Sequence, residues 1–273
     1  MKKDIAFVIP IRHQDNAADW AKLMSNLTST IASLANQSLQ DNWKCVLVAN
    51  EGAKLPNLPS ENFIIKRVDF KPNTNYSTKD KTLLYKSVRK DKGLRVVSGM
   101  MEVRDYKYFM VIDDDDFINK DICKFISENM DLKYGGWIIG NGYIWEDGSR
   151  FMYHTSSFNH QCGSCNIINT NFVTIPESIN DIDLDYISKV FGSHVFVEDE
   201  VRSKNGKIGT IPFPGAIYRV NSGNNHSGSN HPIRLMFLNR SLLKKPFASL
   251  IDLVKMKIIT KNALDQYFGN RFL

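Results

Sequence analysis

Four consecutive carboxylates, Asp113, Asp114, Asp115 and Asp116, follow directly on the apolar run YFMVI at residues 108–112. Like charges at that density repel one another unless a divalent cation shares the space. Mg2+ and Mn2+ take hard oxygen ligands, use one or two protein carboxylates, and fill the remaining positions with water and substrate phosphate. The bland reading is a solvated acidic turn, and Asp116 ahead of FINKDICKFI also fits a helix cap. A second acidic group, Glu198, Asp199 and Glu200 in VEDE, could accept a proton or open a helix whose dipole favours acids in its first turn. Cys162 and Cys165 form a lone CxxC. A structural zinc site needs four ligands and no second pair lies at matching spacing, although His154 and His160 are near enough for a Cys2His2 set. Buried or half-buried free thiols in a reducing compartment are the simpler expectation for all four cysteines.

The elements that must position these groups are legible as apolar runs and periodic segments. DIAFVIPI at 4–11 reads as a buried strand ended by Pro10. Trp20, Leu23, Leu27, Ile31 and Leu34 recur at helical spacing, with Asp15, Asn16 or Asp19 as the cap. Strands are expected at 43–52 and 63–70, a polar loop at 72–78, and a helix over about 79–103 with a break at Gly93. The strand YKYFMVI then delivers the carboxylates. Strand, helix, strand, strand, helix, strand predicts a largely parallel sheet with helices on its faces. In such sheets ligands bind beyond the carboxyl ends of the strands, which is where the four aspartates fall. The second half reads as a hairpin over 135–154 with its turn at EDGS, a strand in SCNIINTNF, a helix near 181–191, and a short helix, Gly turn and strand over 196–220. A Gly/Asn/Ser/His loop at 221–232 marks a boundary.

The 273 residues, 42% of them hydrophobic and 23% charged, suit a soluble globular chain. No apolar run reaches the ~18 residues of a membrane span. The opening MKKDIAFVIPIRH has a short apolar run cut by Pro10 and no small-residue cleavage site, so a first strand and a cytoplasmic location are expected. Eight Lys and Arg against two Asp in 233–273 match the whole net charge of +6, leaving residues 1–232 neutral. Charge confined this way argues against a nucleic-acid binder and for a tail with a function of its own. The segment 233–273 is a basic amphipathic helical tail by pattern. It suits peripheral association with an anionic membrane, and equally suits packing on the domain or on a twin subunit in a homo-oligomer.

Four motifs in chain order give the sequence a family resemblance: VIPIRHQDN, LANQSLQDNWKCVLVANEG, KGLRVVSGMMEVRDYKYFMVIDDDD and VEDEVRSKNGKIGTIPFPGAIYRV. Together they resemble glycosyltransferases of the GT-A fold, in particular inverting, family-2-like bacterial enzymes, over residues 4–228. The resemblance implies an α/β fold with a Rossmann-like mixed, mostly parallel sheet flanked by helices and a helical C-terminal extension. It implies a catalytic domain at 1–232, with a nucleotide-sugar half at 1–116 and an acceptor half at 117–232, followed by the tail.

Position by position, Asp113 and Asp115 fit the DxD motif, which implies that Asp115 binds Mn2+ or Mg2+ directly while Asp113 faces the ribose or metal-bound water. Asp114 lies beside them at the donor. Pro10, Arg12 and Glu51 fall where such enzymes hold the base and ribose, and Lys92 and Arg95 where a cation meets the diphosphate. Asp199 is the implied general base, with Glu198 second, and His226 an implied metal ligand; His231 is a weaker candidate, and His13 reaches toward substrate from the first loop. Asn50-Glu51-Gly52-Ala53 stands where the family often has Asp-Asp-Gly-Ser, which leaves base recognition open. The aromatics Trp137, Tyr143, Trp145, Phe151 and Tyr153 suit either core packing or stacking on an acceptor sugar.

The implied activity is metal-dependent transfer of a sugar, UDP-hexose by expectation, to a glycan or polyprenyl-linked glycan acceptor in surface polysaccharide (O-antigen or capsule) synthesis. That work would be done at the cytoplasmic face of the membrane. Two alternatives stay open: a nucleotidyltransferase using the same carboxylates, and a non-catalytic carbohydrate-binding protein of the same fold. Neither a P-loop nor GxGxxG is present to support an ATPase or dehydrogenase.

Overall fold

The computed structural model describes residues 3–130, 134–220 and 254–269. His226, His231, the boundary loop at 221–232 and most of the tail lie outside them.

A seven-stranded sheet is built around β1 (Lys3–Pro10), which pairs in parallel with β2 (Trp43–Asn50) on one side and β4 (Tyr106–Val111) on the other. β3 (Phe63–Val68) continues in parallel from β2. Beyond β4 comes β9 (Asn166–Asn169), antiparallel to both β4 and β6 (Tyr134–Ile138), and β10 (Lys207–Thr210) closes the sheet in parallel with β6. The order is therefore β10-β6-β9-β4-β1-β2-β3. This is the Rossmann-like, mixed and mostly parallel sheet expected for a GT-A architecture.

Burial on both faces explains why the strands read as continuous apolar runs rather than alternating ones. Ile5, Phe7 and Ile9 of β1 pack against Leu23 and Leu27 of α1 (Trp20–Ala35) on one face. Ala6 and Val8 pack against Val96, Val97 and Met100 of α2 (Lys81–Met101) on the other. Asp19 caps α1 by accepting from the Lys22 N–H. Helix α2 runs unbroken through Gly93. That residue is needed for a different reason: a Cβ there would lie 2.6 Å from the Ile187 carbonyl of α4 (Leu184–Val190).

The expected single hairpin over 135–154 is divided between two sheets. Tyr134–Ile138 joins the first sheet, whereas β7 (Gly142–Glu146) and β8 (Phe151–Thr155) form the hairpin in a second sheet of order β12-β8-β7-β11-β5. The turn falls where the EDGS signal put it, with Ser149 donating to the Glu146 carbonyl. In this sheet β11 (Ala216–Val220) is parallel to β7 and antiparallel to β5 (Phe117–Ile118).

Within the expected helical tail, Met256–Ile258 forms a strand, β12, antiparallel to β8, because the outer edge of β8 offers it a backbone ladder. The chain then turns helical at Lys261–Ala263 and winds through Leu264–Phe268. Phe268, 1% exposed, packs 4.6 Å from the Phe117 ring centroid and 5.4 Å from that of Trp145. Tyr267 donates to the Pro214 carbonyl at 2.6 Å. No helix among the described residues is long and apolar enough to cross a membrane.

Candidate active site

β1 is the point where the chain reverses its direction of sheet growth: β2 and β3 build to one side, β4 to the other. Crevices at such switch points, beyond the carboxyl ends of the strands, are where open α/β sheets bind ligands. Arg12 leaves β1 there and the four aspartates leave β4 there. The loops above β1, β2 and β3 are tied into one rim. Asn16 donates to the Asn73 carbonyl at 2.9 Å and accepts from its N–H at 2.8 Å, while Gln14 donates to the Glu51 carbonyl. Pro10 and the exposed Glu51 lie on this rim.

The carboxylates are not equivalent. Asp113 takes an ion pair from Lys92 of α2 at 2.5 Å. Burial pushes the Asp113 carboxyl upward, but the Lys92 charge and hydrogen bond outweigh it and hold it below the ordinary range. Burial likewise works against the Lys92 ammonium, and Asp113 reverses that effect. Asp114, 8% exposed, is raised by burial, opposed by Arg12 and reinforced by Asp113. Asp115 is 7% exposed.

Asp116 is fully buried and does structural work. Its Oδ2 accepts from Ser164 Oγ at 2.6 Å and from Cys162 Sγ at 3.1 Å, and its Oδ1 from the Arg219 N–H at 3.3 Å. Burial and the Asp113 charge push it up to about 7 despite those donors. Asp116 is thus neither a solvated turn residue nor a helix cap; it knots β4, β11 and the CGSC loop together.

That loop is the part of the site the sequence reading missed. Ser164 Oγ accepts from the Asp113 N–H at 2.9 Å while donating to Asp116, so one hydroxyl fixes both ends of the acidic run. A Cβ at Gly163 would lie 2.7 Å from Asp113 Oδ2 and 3.4 Å from Lys92 Nζ, so glycine lets the loop lie against the pair. Cys162 and Cys165 are buried free thiols, with burial pushing both well up, which makes them packing groups and not nucleophiles. A further missed residue is His194, lowered by burial and by Lys92 but pulled the other way by Asp113, which places it beside that pair.

Arg95 is not brought to the carboxylates. One turn deeper along α2, it is 1% exposed, pairs with Asp91 at 3.0 and 3.1 Å, and stacks on Phe70 at 5.7 Å. Glu198 and Asp199 open α5 (Val197–Ser203), which the loop after α4 delivers next to His194. Glu198 is half-buried, pairs with Arg202 at 3.8 Å, and its charge is felt at Cys165; Asp199 is exposed. Of the aromatics, Trp137, Trp145 and Tyr153 are buried packing residues, Tyr143 is partly buried, and Phe151 is exposed.

Among the described residues no three His, Cys, Asp or Glu side chains converge as a metal cage. The donor set nevertheless fits a hard cation held jointly with a ligand. Asp113 and Asp114 lie in the field of both Lys92 and Arg12, and Asp113 to Asp115 supply the hard oxygen donors such a cation takes.

A scan against protein families finds no match, and no curated protein matches the sequence. Among solved structures, the chain is similar to TarS 1–349 of S. aureus, with 12% identity and a TM-score of 0.45 over 79% of this chain. It spans 60% of that TarS chain. A protein provisionally assigned as a nucleotide-diphospho-sugar transferase from Desulfovibrio desulfuricans G20 aligns at 10% identity and TM-score 0.37, covering 91% of this chain and 97% of that one. One provisionally assigned as a glucose-1-phosphate thymidylyltransferase from Bacillus anthracis, in complex with a sucrose, aligns at 8% identity and TM-score 0.34, over 77% and 87%.

Proposed function

We propose that this protein is a metal-dependent glycosyltransferase that moves a hexose from a nucleotide diphosphate sugar, UDP-linked by preference, to a glycan or lipid-linked glycan acceptor. The observation that carries the reading is the convergence of Arg12, Lys92 and the run Asp113 to Asp115 at the switch-point edge of a parallel sheet. Asp115 and Asp113 would hold Mn2+ or Mg2+, which when bound offsets negative charge on a diphosphate.

The rim of Pro10, Arg12 and Glu51 seats the nucleoside. Lys92, kept cationic by Asp113, faces the leaving diphosphate as it gains charge. The exposed Asp199 at the start of α5 removes the acceptor hydroxyl proton. The freed oxygen bonds to the anomeric carbon as the carbon–oxygen bond to the diphosphate breaks, and the electron pair leaves with the diphosphate. A single displacement of this kind inverts the anomeric centre. Glu198, engaged with Arg202, orients that turn. Attachment of the basic segment 233–273 to an anionic membrane is part of the same proposal, and vesicles that bind the full chain and a variant with Arg234, Arg240, Lys244 and Lys245 replaced by Gln equally would remove it.

UDP release from a panel of UDP-hexoses, with Mn2+ and an oligosaccharide acceptor, tests the reading. Asp199→Asn is expected to lower kcat by about 10²- to 10⁴-fold, the usual contribution of a general base. Loss in Glu198→Gln with full turnover in Asp199→Asn would move the base one residue. Full turnover in both would refute the inverting chemistry.

A further inference from the structure

Helix α2 presents a stripe that runs from solvent to the ion pair. Tyr85, Lys86 and Arg89 lie along one wall of an open trough whose other wall is α4 and the residue preceding α5. The next residue of the stripe, three further on, is Lys92 on Asp113. At about 1.5 Å per residue, Arg89 stands ~4.5 Å and Lys86 ~9 Å from Lys92 along the axis. The trough holds about 470 Å³, within the roughly 300–1,000 Å³ typical of ligand sites. Beyond the trough α2 and α4 close on each other, where Gly93 lies against the Ile187 carbonyl and Gly192 against that of Arg89.

The charge of this trough is not balanced by the protein. Lys86, Arg89 and Lys189 face a single acid, Asp185, and none of the three cations forms an ion pair among the described residues. The Arg89 guanidinium is laid over the Phe196 ring, 5.4 Å from its centroid, which fixes the plane of its donor fork. Tyr85 keeps 49% of its surface exposed beside these cations, offering a stacking face. The charge of Arg89 also reaches His194, which adjoins Lys92 and Asp113, so the trough and the ion pair share one electrostatic field.

We propose that the trough between α2 and α4 is an acceptor subsite for an anionic glycan, one whose phosphate or carboxylate groups lie within a sugar residue or two of the reacting hydroxyl. The inference rests on the transferase reading and names the acceptor class for it. An Arg fork on a rigid ring with two flanking lysines suits either anion, since both accept bidentate hydrogen bonds.

The test is calorimetric titration of the full chain with three pentasaccharide probes: neutral maltopentaose, an oligogalacturonate, and a phosphorylated mannan oligosaccharide. Wild type is compared with the Lys86→Gln, Arg89→Gln, Lys189→Gln triple variant. The anionic probes are expected to bind at least tenfold tighter than the neutral one, with the advantage lost in the triple variant. The ratio of the two anionic affinities identifies the source of the charge. UDP binding in Mn2+ is measured on both proteins as a separate arm, and is expected to be equal in the two. Failure of UDP binding with intact anionic selectivity would overturn the transferase reading and leave the subsite standing. Equal affinity for neutral and anionic probes, or undiminished selectivity in the triple variant, would overturn the subsite. So would tighter binding of a single-stranded RNA of equal charge.

Discussion

At the residue scale, the acidic run divides its labour by burial. Asp113 and Asp115 can meet a ligand, while Asp116 is sealed under the CGSC loop and titrates near 7. Its folded value lies above its unfolded one, so the folded state holds a proton that the unfolded state has released between about pH 4 and pH 7. Stability therefore falls as pH rises through that window in metal-free protein. Asp116→Asn, which can still accept from the Arg219 N–H, is expected to flatten that part of a pH series of urea midpoints. An unchanged slope would show that Asp116 is not its source. Gly163→Ala tests the loop from the other side. The added Cβ meets the tip of the Asp113 side chain and not backbone, so the structure yields cheaply. Activity should fall at least tenfold, by displacement of Asp113, with stability changed by about 1 kcal/mol or less. None of this was legible in the sequence. The hydrogen bonds that make Asp116 structural join residues 46 to 103 positions apart. CGSC reads correctly as a pair of buried free thiols, but the motif carries no sign that its loop supports the acidic run.

At the element scale, the parallel half of the sheet could be read directly, because strands buried on both faces leave unbroken apolar runs and α1 carries its stripe and its Asp19 cap. Helix α2 was harder. Gly93 reads as a break by propensity, yet tertiary contact overrides it: the helix continues and the glycine admits the α4 backbone. Gly93→Ala should gain local helix propensity but lose more by forcing the two backbones apart, a net cost of about 1–3 kcal/mol in chemical denaturation. A stabilised variant would show that the packing is loose. Arg95 failed for a related reason. Sequence spacing put it one turn from Lys92 without revealing that α2 is buried from that turn onward, where a guanidinium must find its own partner in Asp91.

At the scale of the whole molecule, residues 254–269 belong to the fold and are not an appendage. Lys120 pairs with Asp265 at 2.5 Å, Gln266 donates to Asn119 and Asp121, and Phe268 completes the cluster around Phe117. Phe117 directly follows Asp116, so this segment braces the acidic run from below. Phe268→Ala should cost about 3–5 kcal/mol in global stability and weaken metal-dependent ligand binding with it. A loss below 1 kcal/mol would mean that the segment is dispensable. A basic amphipathic pattern announced a helix here, and it could not announce β12, because an edge strand is specified by the partner waiting for it.

The central claim is that Asp113 and Asp115 are brought together in order to share a cation with a nucleoside diphosphate. Calorimetric titration of UDP into the full chain, in Mn2+ and in EDTA, for wild type and Asp115→Ala, tests it most directly. Mn2+-dependent binding by wild type that is lost in the variant and in EDTA is the predicted result. Equal binding in Mn2+ and EDTA, or no UDP binding under either condition, would contradict it.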